Sequence, residues 1–161
     1  MRNIHGFTLL ELMVVVVIVA IFAAMIIPSY QRYVARSYQA KAQAELLVLS
    51  ARLESYRGRQ LNYADFIADN ESSAGLVYLP QNATTENYRY KVQILDINTH
   101  QDLQQSVIGQ GYKLIATPYQ YGQRYLRESP SYFLNSRGHK CASAMLLTHL
   151  ATDCGETTQE W

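Results

Sequence analysis

Net charge is almost missing from this chain: 14 Lys and Arg stand against 13 Asp and Glu in 161 residues. A near-neutral surface with no long basic run offers no electrostatic argument for a nucleic-acid partner. Between positions 109 and 140, Lys113, Arg124, Arg127, Arg137 and Lys140 outweigh Glu128, a bias that reads as a solvated face before a binding patch. Cysteine is scarce as well, with Cys141 and Cys154 alone. No histidine pair stands beside them at metal-ligand spacing, which argues against zinc and, in an exported chain, for one disulfide. Catalytic motifs are absent: there is no glycine-rich phosphate loop, no Ser-His-Asp arrangement and no HExxH. Asp65, Asp69 and Glu71 are too sparse for a calcium loop. His5, His100, His139 and His149 read as surface side chains. No enzyme activity, metal or cofactor is expected.

What the chain does have is a block of apolar residues near its N-terminus. All residues from Leu12 to Ile27 are apolar, and from Phe7 onward the run carries a single charge, Glu11. As a helix this segment spans about 31 Å, enough to cross a bilayer. A secretory signal fits poorly, because the far side reads Met25-Ile26-Ile27-Pro28-Ser29-Tyr30 and not a small-residue cleavage site. A plain single-pass anchor explains length and hydropathy but not Glu11. A carboxylate within a span costs several kcal/mol and usually has a partner or a function. The bland alternative is that Glu11 lies at the interface, close to the favourable positive end of its helix.

The run Gly6-Phe7-Thr8-Leu9-Leu10-Glu11, the unbroken apolar stretch, and then Pro28-Ser29-Tyr30-Gln31 resemble the type IV pilin signature. The resemblance implies a leader, residues 1–6, cut after Gly6 by a prepilin peptidase on the cytoplasmic side. It implies N-methylation of the new terminal Phe7. It also makes Glu11 the family's glutamate, which pairs with the Phe7 amine of a neighbouring subunit and sets axial register. The physics agrees: Glu11 lies about one turn from Phe7 on much the same face, and in a water-free bundle a paired charge is tolerable where an unpaired one is costly. Orientation is not fixed by charge, since Arg2 precedes the span while Arg32, Arg36 and Lys41 follow it. An outward-facing head rests on the resemblance and on the cysteines.

Pro28 would end or bend a helix, but the residues after it favour continuation. Ala35, Tyr38, Ala42, Leu46, Leu49, Leu53 and Tyr56 recur at steps of three and four, one apolar stripe. One helix is expected from about Phe7 to Arg57, with 7–27 the membrane and assembly half and 28–58 the amphipathic half. Pilins carry a proline at this place, where the helix loosens in a filament, which implies an assembly role for Pro28. Residues 59–161 form the head. Within it, 59–86 read as a long loop with a helical turn near Ala64–Ala68, and about 87–140 as an antiparallel sheet. The strands are alternating Tyr88–Ile94, then Tyr112–Pro118 and Tyr132–Asn135. Region 141–154 is bounded by the cysteines, and 155–161 is a tail. The fold class is α+β, a long helix covering one face of a small sheet. Thirteen tyrosines suit half-buried faces whose hydroxyls stay wet.

The order Tyr112-x-Leu114-x-Ala116-Thr117-Pro118, Phe133-Leu134 and Gly138-x-Lys140, with Ala44-Glu45-Leu46 and Leu61-Asn62-Tyr63 earlier, is similar to the minor pilins called PilE in type IVa systems. The likeness implies a structural, non-enzymatic pilus subunit. Its partners would be the prepilin peptidase, other pilins, the inner-membrane assembly platform, and inner-membrane lipid before assembly. Pilins commonly bracket an outward loop with a C-terminal disulfide; here Ala142–Leu150 is unusually apolar for that role, so packing on the sheet is expected over contact with another subunit. Two other readings stay open. One is a type II secretion pseudopilin, which shares leader, glutamate and helix. The other is a pilus-tip module binding DNA or a surface through Arg124, Arg127, Arg137 and Lys140.

Overall fold

The computed structural model describes residues 7–69, 75–155 and 161. The leader with Gly6 and His5, and all but two residues of the 155–161 tail, lie outside them. The chain divides into two compact units after Val34. Helix α1, Leu9–Gln60, runs through the division, with Pro28 inside it. Proline here removes one backbone donor, and the helical hydrogen-bond pattern resumes beyond it.

In the first unit α1 starts on Thr8. The Glu11 N–H donates to Thr8 Oγ1 (3.2 Å) and the Leu12 N–H to the Thr8 carbonyl (3.2 Å). Thr8-Leu9-Leu10-Glu11 is therefore a Ser/Thr-x-x-Glu cap, with the threonine side chain satisfying a backbone donor the helix itself leaves open. Every residue from Phe7 to Tyr33 is exposed.

The second unit builds the core. Ala35, Ala42, Leu46, Leu49 and Leu53 form the buried face of α1, and Tyr38 and Tyr56 pack at its margins. That is the predicted stripe. The sheet has five antiparallel strands in chain order: β1 Leu76–Leu79, β2 Tyr90–Asp96, β3 Tyr112–Pro118, β4 Ser131–Asn135 and β5 Lys140–Ser143. Register follows pairs such as Val77↔Val92, Val92↔Ala116, Leu114↔Leu134 and Phe133↔Cys141. Val77, Val92, Ile94, Leu114 and Leu134 meet the helix face, joined by the buried rings of Tyr63, Tyr90 and Tyr112. On the opposite face Leu95, Ile115, Phe133, Cys141 and Cys154 make a second cluster, covered by Leu147 and Ala151. With both faces covered, all seven residues of β3 are buried.

Three expectations need correction. The segment 59–86 is not all loop, because Leu76–Leu79 pairs with β2 and bounds the sheet on that side; with β5, the sheet runs from 76 to 143 rather than from about 87 to 140. No helical turn forms at 64–68: Asp65 takes φ 58°, and the N–H groups of Tyr63 and Asp65 bond to the carbonyls of Gly109 and Leu103. This stitches the chain after α1 to the β2–β3 connection and buries Tyr63 and Phe66. Gly109 permits the approach, since a Cβ there would stand 2.4 Å from Ala64 N, at φ +52°. Finally, the most buried tyrosine hydroxyls are bonded within the protein: Tyr90 OH donates to the Pro130 carbonyl (2.9 Å), Tyr63 OH to Glu54 (2.9 Å), and Tyr112 OH pairs with Ser50 (2.8 Å).

Candidate functional site

The first candidate surface is the apolar half of α1. It is apolar and wholly unburied, and by length and composition it is sufficient to cross a membrane. Phe7, Met13, Phe22 and Met25 are each 60% or more exposed. Glu11 is the single charge between Phe7 and Gln31, and its own N–H is held by Thr8. Such a face is stable only when lipid or other apolar helices cover it. Pro28 lies within the same exposed stretch.

The second is the disulfide-bounded region. Cys141 and Cys154 are bonded, with Cα atoms 6.0 Å apart across a separation of 13 positions. Its apolar content divides: Leu147 and Ala151 pack on the sheet, whereas Met145, Leu146 and Leu150 are 52–66% exposed. The expected packing therefore holds for part of the loop only.

A side chain that sequence reasoning placed on a solvated face holds this loop down. Lys113 is fully buried on β3. Its Nζ donates to the carbonyls of His149 (2.5 Å) and Ala151 (2.9 Å) and meets His100 Nδ1 at 2.6 Å. Burial pushes the ammonium down to about 8, opposed by the charge of Asp96. Asp96 is itself buried. Burial would raise its carboxyl, but hydrogen bonds from the Ser106 hydroxyl and the backbone of Asn98, Thr99 and Gly109 hold it below its usual value. The only sequence signal was a lysine between two apolar strand residues.

The third is the head surface. Arg124, Arg127, Arg137 and Lys140 do not form one patch. Arg124 and Arg127 sit on α2, the single turn Arg124–Arg127 between β3 and β4, where Arg124 Nε bonds to Glu128 at 2.6 Å. Arg137 lies in the β4–β5 turn, at the opposite end of β4, and Lys140 follows on β5 with its Nζ 5.5 Å from the Trp161 ring centre. Arg137 lines a shallow cleft together with Arg57, Tyr63, Gly111 and Ser136.

Near the α2 end a chain of tyrosine rings crosses the surface. Tyr78 stacks on Tyr88 (centroids 5.0 Å, 24°), Tyr88 meets Tyr119 edge-on (4.7 Å, 70°), and Tyr119 meets Tyr121 (6.1 Å, 67°). Arg89 lies over Tyr38, 5.9 Å from its centre. Among the described residues no group of three or more His, Cys, Asp or Glu side chains could hold a metal ion.

A family model described as "Type IV minor pilin ComP, DNA uptake sequence receptor" matches residues 28–143, and one described as "Prokaryotic N-terminal methylation motif" matches residues 1–27. The chain is similar to the type IV major pilin protein PilA of Myxococcus xanthus, 43% identical over 65 residues, covering 40% of this chain and 29% of that protein. It is 37% identical over 83 residues to the type IV major fimbrial protein FimA of Dichelobacter nodosus, covering 43% and 53%. It is also 35% identical over 89 residues to the type II secretion system core protein G of Vibrio cholerae, covering 55% and 59%. The chain thus spans from under a third to just over half of these relatives' lengths. No solved structure matches it.

Proposed function

The chain belongs to the type IV pilin family, and on that premise we propose that it is a minor pilus subunit, processed by a prepilin peptidase and built into the filament through α1. The family is one of structural, non-enzymatic proteins, and the apolar helix points to membrane anchoring and to a place in a pilus. The leader is cut after Gly6, Phe7 is N-methylated, and before assembly the subunit sits in the inner membrane with its head in the periplasm. There it meets the assembly platform and the other pilins. In the filament Glu11 pairs with the Phe7 amine of a neighbour.

The observation that carries this reading is the wholly unburied apolar run with one carboxylate in it. Passing from the bilayer into the filament exchanges lipid for packed helices, so the apolar run moves with little net hydrophobic gain and close helix packing favours the filament. The same packing would strand Glu11 unless a positive partner comes with it, at a cost of several kcal/mol for an uncompensated charge. The pairing therefore selects one register. Glu11→Val is expected to leave peptidase cleavage and head folding intact while greatly reducing recovery of the subunit in sheared pili. Recovery at the wild-type level would remove the Glu11 pairing.

A second reading is favoured by the match of residues 28–143 to the family model described as a DNA uptake sequence receptor: the head binds DNA. A secretion pseudopilin is favoured by the 89-residue match to a type II secretion core protein, which covers 55% of the chain and less of it than the residues 28–143 matched by the family model. Because the four basic residues form two groups, alanine at Arg124 and Arg127 and alanine at Arg137 and Lys140 are separate tests. Whichever pair neutralises phosphate should, when removed, weaken duplex retention. It should also flatten the salt dependence by about one unit of slope for each phosphate no longer neutralised. Retention unchanged by both pairs would exclude these residues.

A further inference from the structure

The segment after β3 reads Tyr119-Gln120-Tyr121-Gly122-Gln123-Arg124-Tyr125-Leu126-Arg127, aromatic residues interleaved with polar and basic ones. The fold brings Tyr119 and Tyr121 beside Tyr78 of β1 and Tyr88 just before β2, so one row of rings is assembled from three stretches of chain. We infer that this tyrosine row, ending on the ring of Tyr121, is a stacking platform for unpaired bases of a single-stranded DNA segment, with Lys91 and Arg127 meeting the phosphates beside it. The inference rests on the DNA-binding reading given above and names the site and the form of nucleic acid.

Three observations carry it. The row is held in place by structure outside itself: the Tyr119 N–H bonds to the Arg89 carbonyl (3.0 Å), the Arg89 N–H bonds to the Leu79 carbonyl (2.6 Å), and Tyr78 pairs with Lys91 across β1 and β2. Gly122 lets the chain turn tightly against the Tyr119 ring, since a Cβ there would stand 2.8 Å from Tyr119 Cδ1. Tyr121 is nevertheless 90% exposed, touching Tyr119 at 6.1 Å between centroids. A ring that touches one neighbouring ring and otherwise lies in water suits a planar apolar partner.

The charge around the row complements an anionic strand. In sequence, Arg89, Lys91, Arg124 and Arg127 flank the tyrosines of the row, against Glu86 and Glu128. Arg124 is engaged by Glu128 and Arg89 lies over Tyr38, which leaves Lys91 and Arg127 as the cations named. Lys91 shares the sheet face of Tyr78, because the two are directly opposed. Base faces within a duplex are already stacked on one another, so an aromatic platform discriminates in favour of unpaired bases, whereas phosphate contacts alone do not.

The test uses the full chain in detergent micelles, with fluorescently labelled oligothymidylate and a duplex of matched length. Tyr121→Ala should weaken oligothymidylate binding about tenfold, Tyr121→Phe should bind within about twofold of wild type, and duplex binding should move little in either. The near-ultraviolet circular dichroism of the buried tyrosines should be unchanged, which separates lost stacking from lost fold. If Tyr121→Ala binds oligothymidylate as tightly as wild type, or loses single-stranded and duplex binding in equal measure, the platform is refuted while the DNA reading survives. If the wild-type chain binds neither probe, the DNA reading falls and the platform with it.

Discussion

Replacing Lys113 by Met tests how the head holds its disulfide loop. Met matches the length of the aliphatic stem and removes the amine. At neutral pH two effects oppose each other. The carbonyls of His149 and Ala151 lose their donor, at about 1 kcal/mol each, the low end of the range because both residues reach solvent. Against that, the substitution abolishes the cost of keeping a charge buried. A fall from 10.5 to about 8 corresponds to about 3 kcal/mol at most. The two nearly cancel, so stability at neutral pH is a poor readout and its pH dependence is the informative one. The folded-state value is depressed below the unfolded one, so between about 8 and 10.5 the unfolded chain binds more protons, and stability from this group rises with pH through that window. Wild type should gain about 2 kcal/mol relative to Lys113→Met between about pH 7 and about pH 10. Burial pushes the Tyr112 hydroxyl up to about 12, and its contribution is lost only above the unfolded tyrosine value near 10. Urea unfolding of the full chain in micelles, followed by tyrosine circular dichroism, reads the difference. A wild-type-minus-variant difference that stays flat, or shrinks as pH rises, would refute the reasoning.

Two further perturbations bear on the head. Cys141→Ser with Cys154→Ser opens a short loop and should cost about 3 kcal/mol in the chain-entropy model, less if Lys113 and Leu147 keep the loop on the sheet; urea midpoints with and without reductant give the value. Leu49→Ala, at a fully buried position on the core face of α1, should cost about 2–5 kcal/mol, and a loss below about 1 kcal/mol would mean that this face is not the packed core described.

The helix and its stripe were legible because a period of three and four survives over twenty residues, from Ala35 to Tyr56. The central strand was legible because Tyr112, Leu114 and Ala116 alternate. β1 was hidden: Leu76-Val77-Tyr78-Leu79 is only four residues long and has no polar alternation to separate it from a loop. The start of β2 falls at Tyr90 because Tyr88 belongs to the ring row rather than the ladder. Lys113 was misread because strand alternation puts it on the non-helix face, which is ordinarily wet. Here that face is covered by a loop 36 and 38 positions away, beyond the reach of any local pattern. The basic residues from Arg124 to Lys140 looked like one patch because they are close in sequence. β4 stands between the two pairs, and five residues of strand put about 16 Å there.

Assembly into a filament is tested most directly by mass spectrometry of sheared surface pili. This chain is expected in the pili, beginning at N-methylated Phe7 and present well below the main subunit. Processed protein found only in the membrane, with none in the pili, would contradict its place as a pilus subunit.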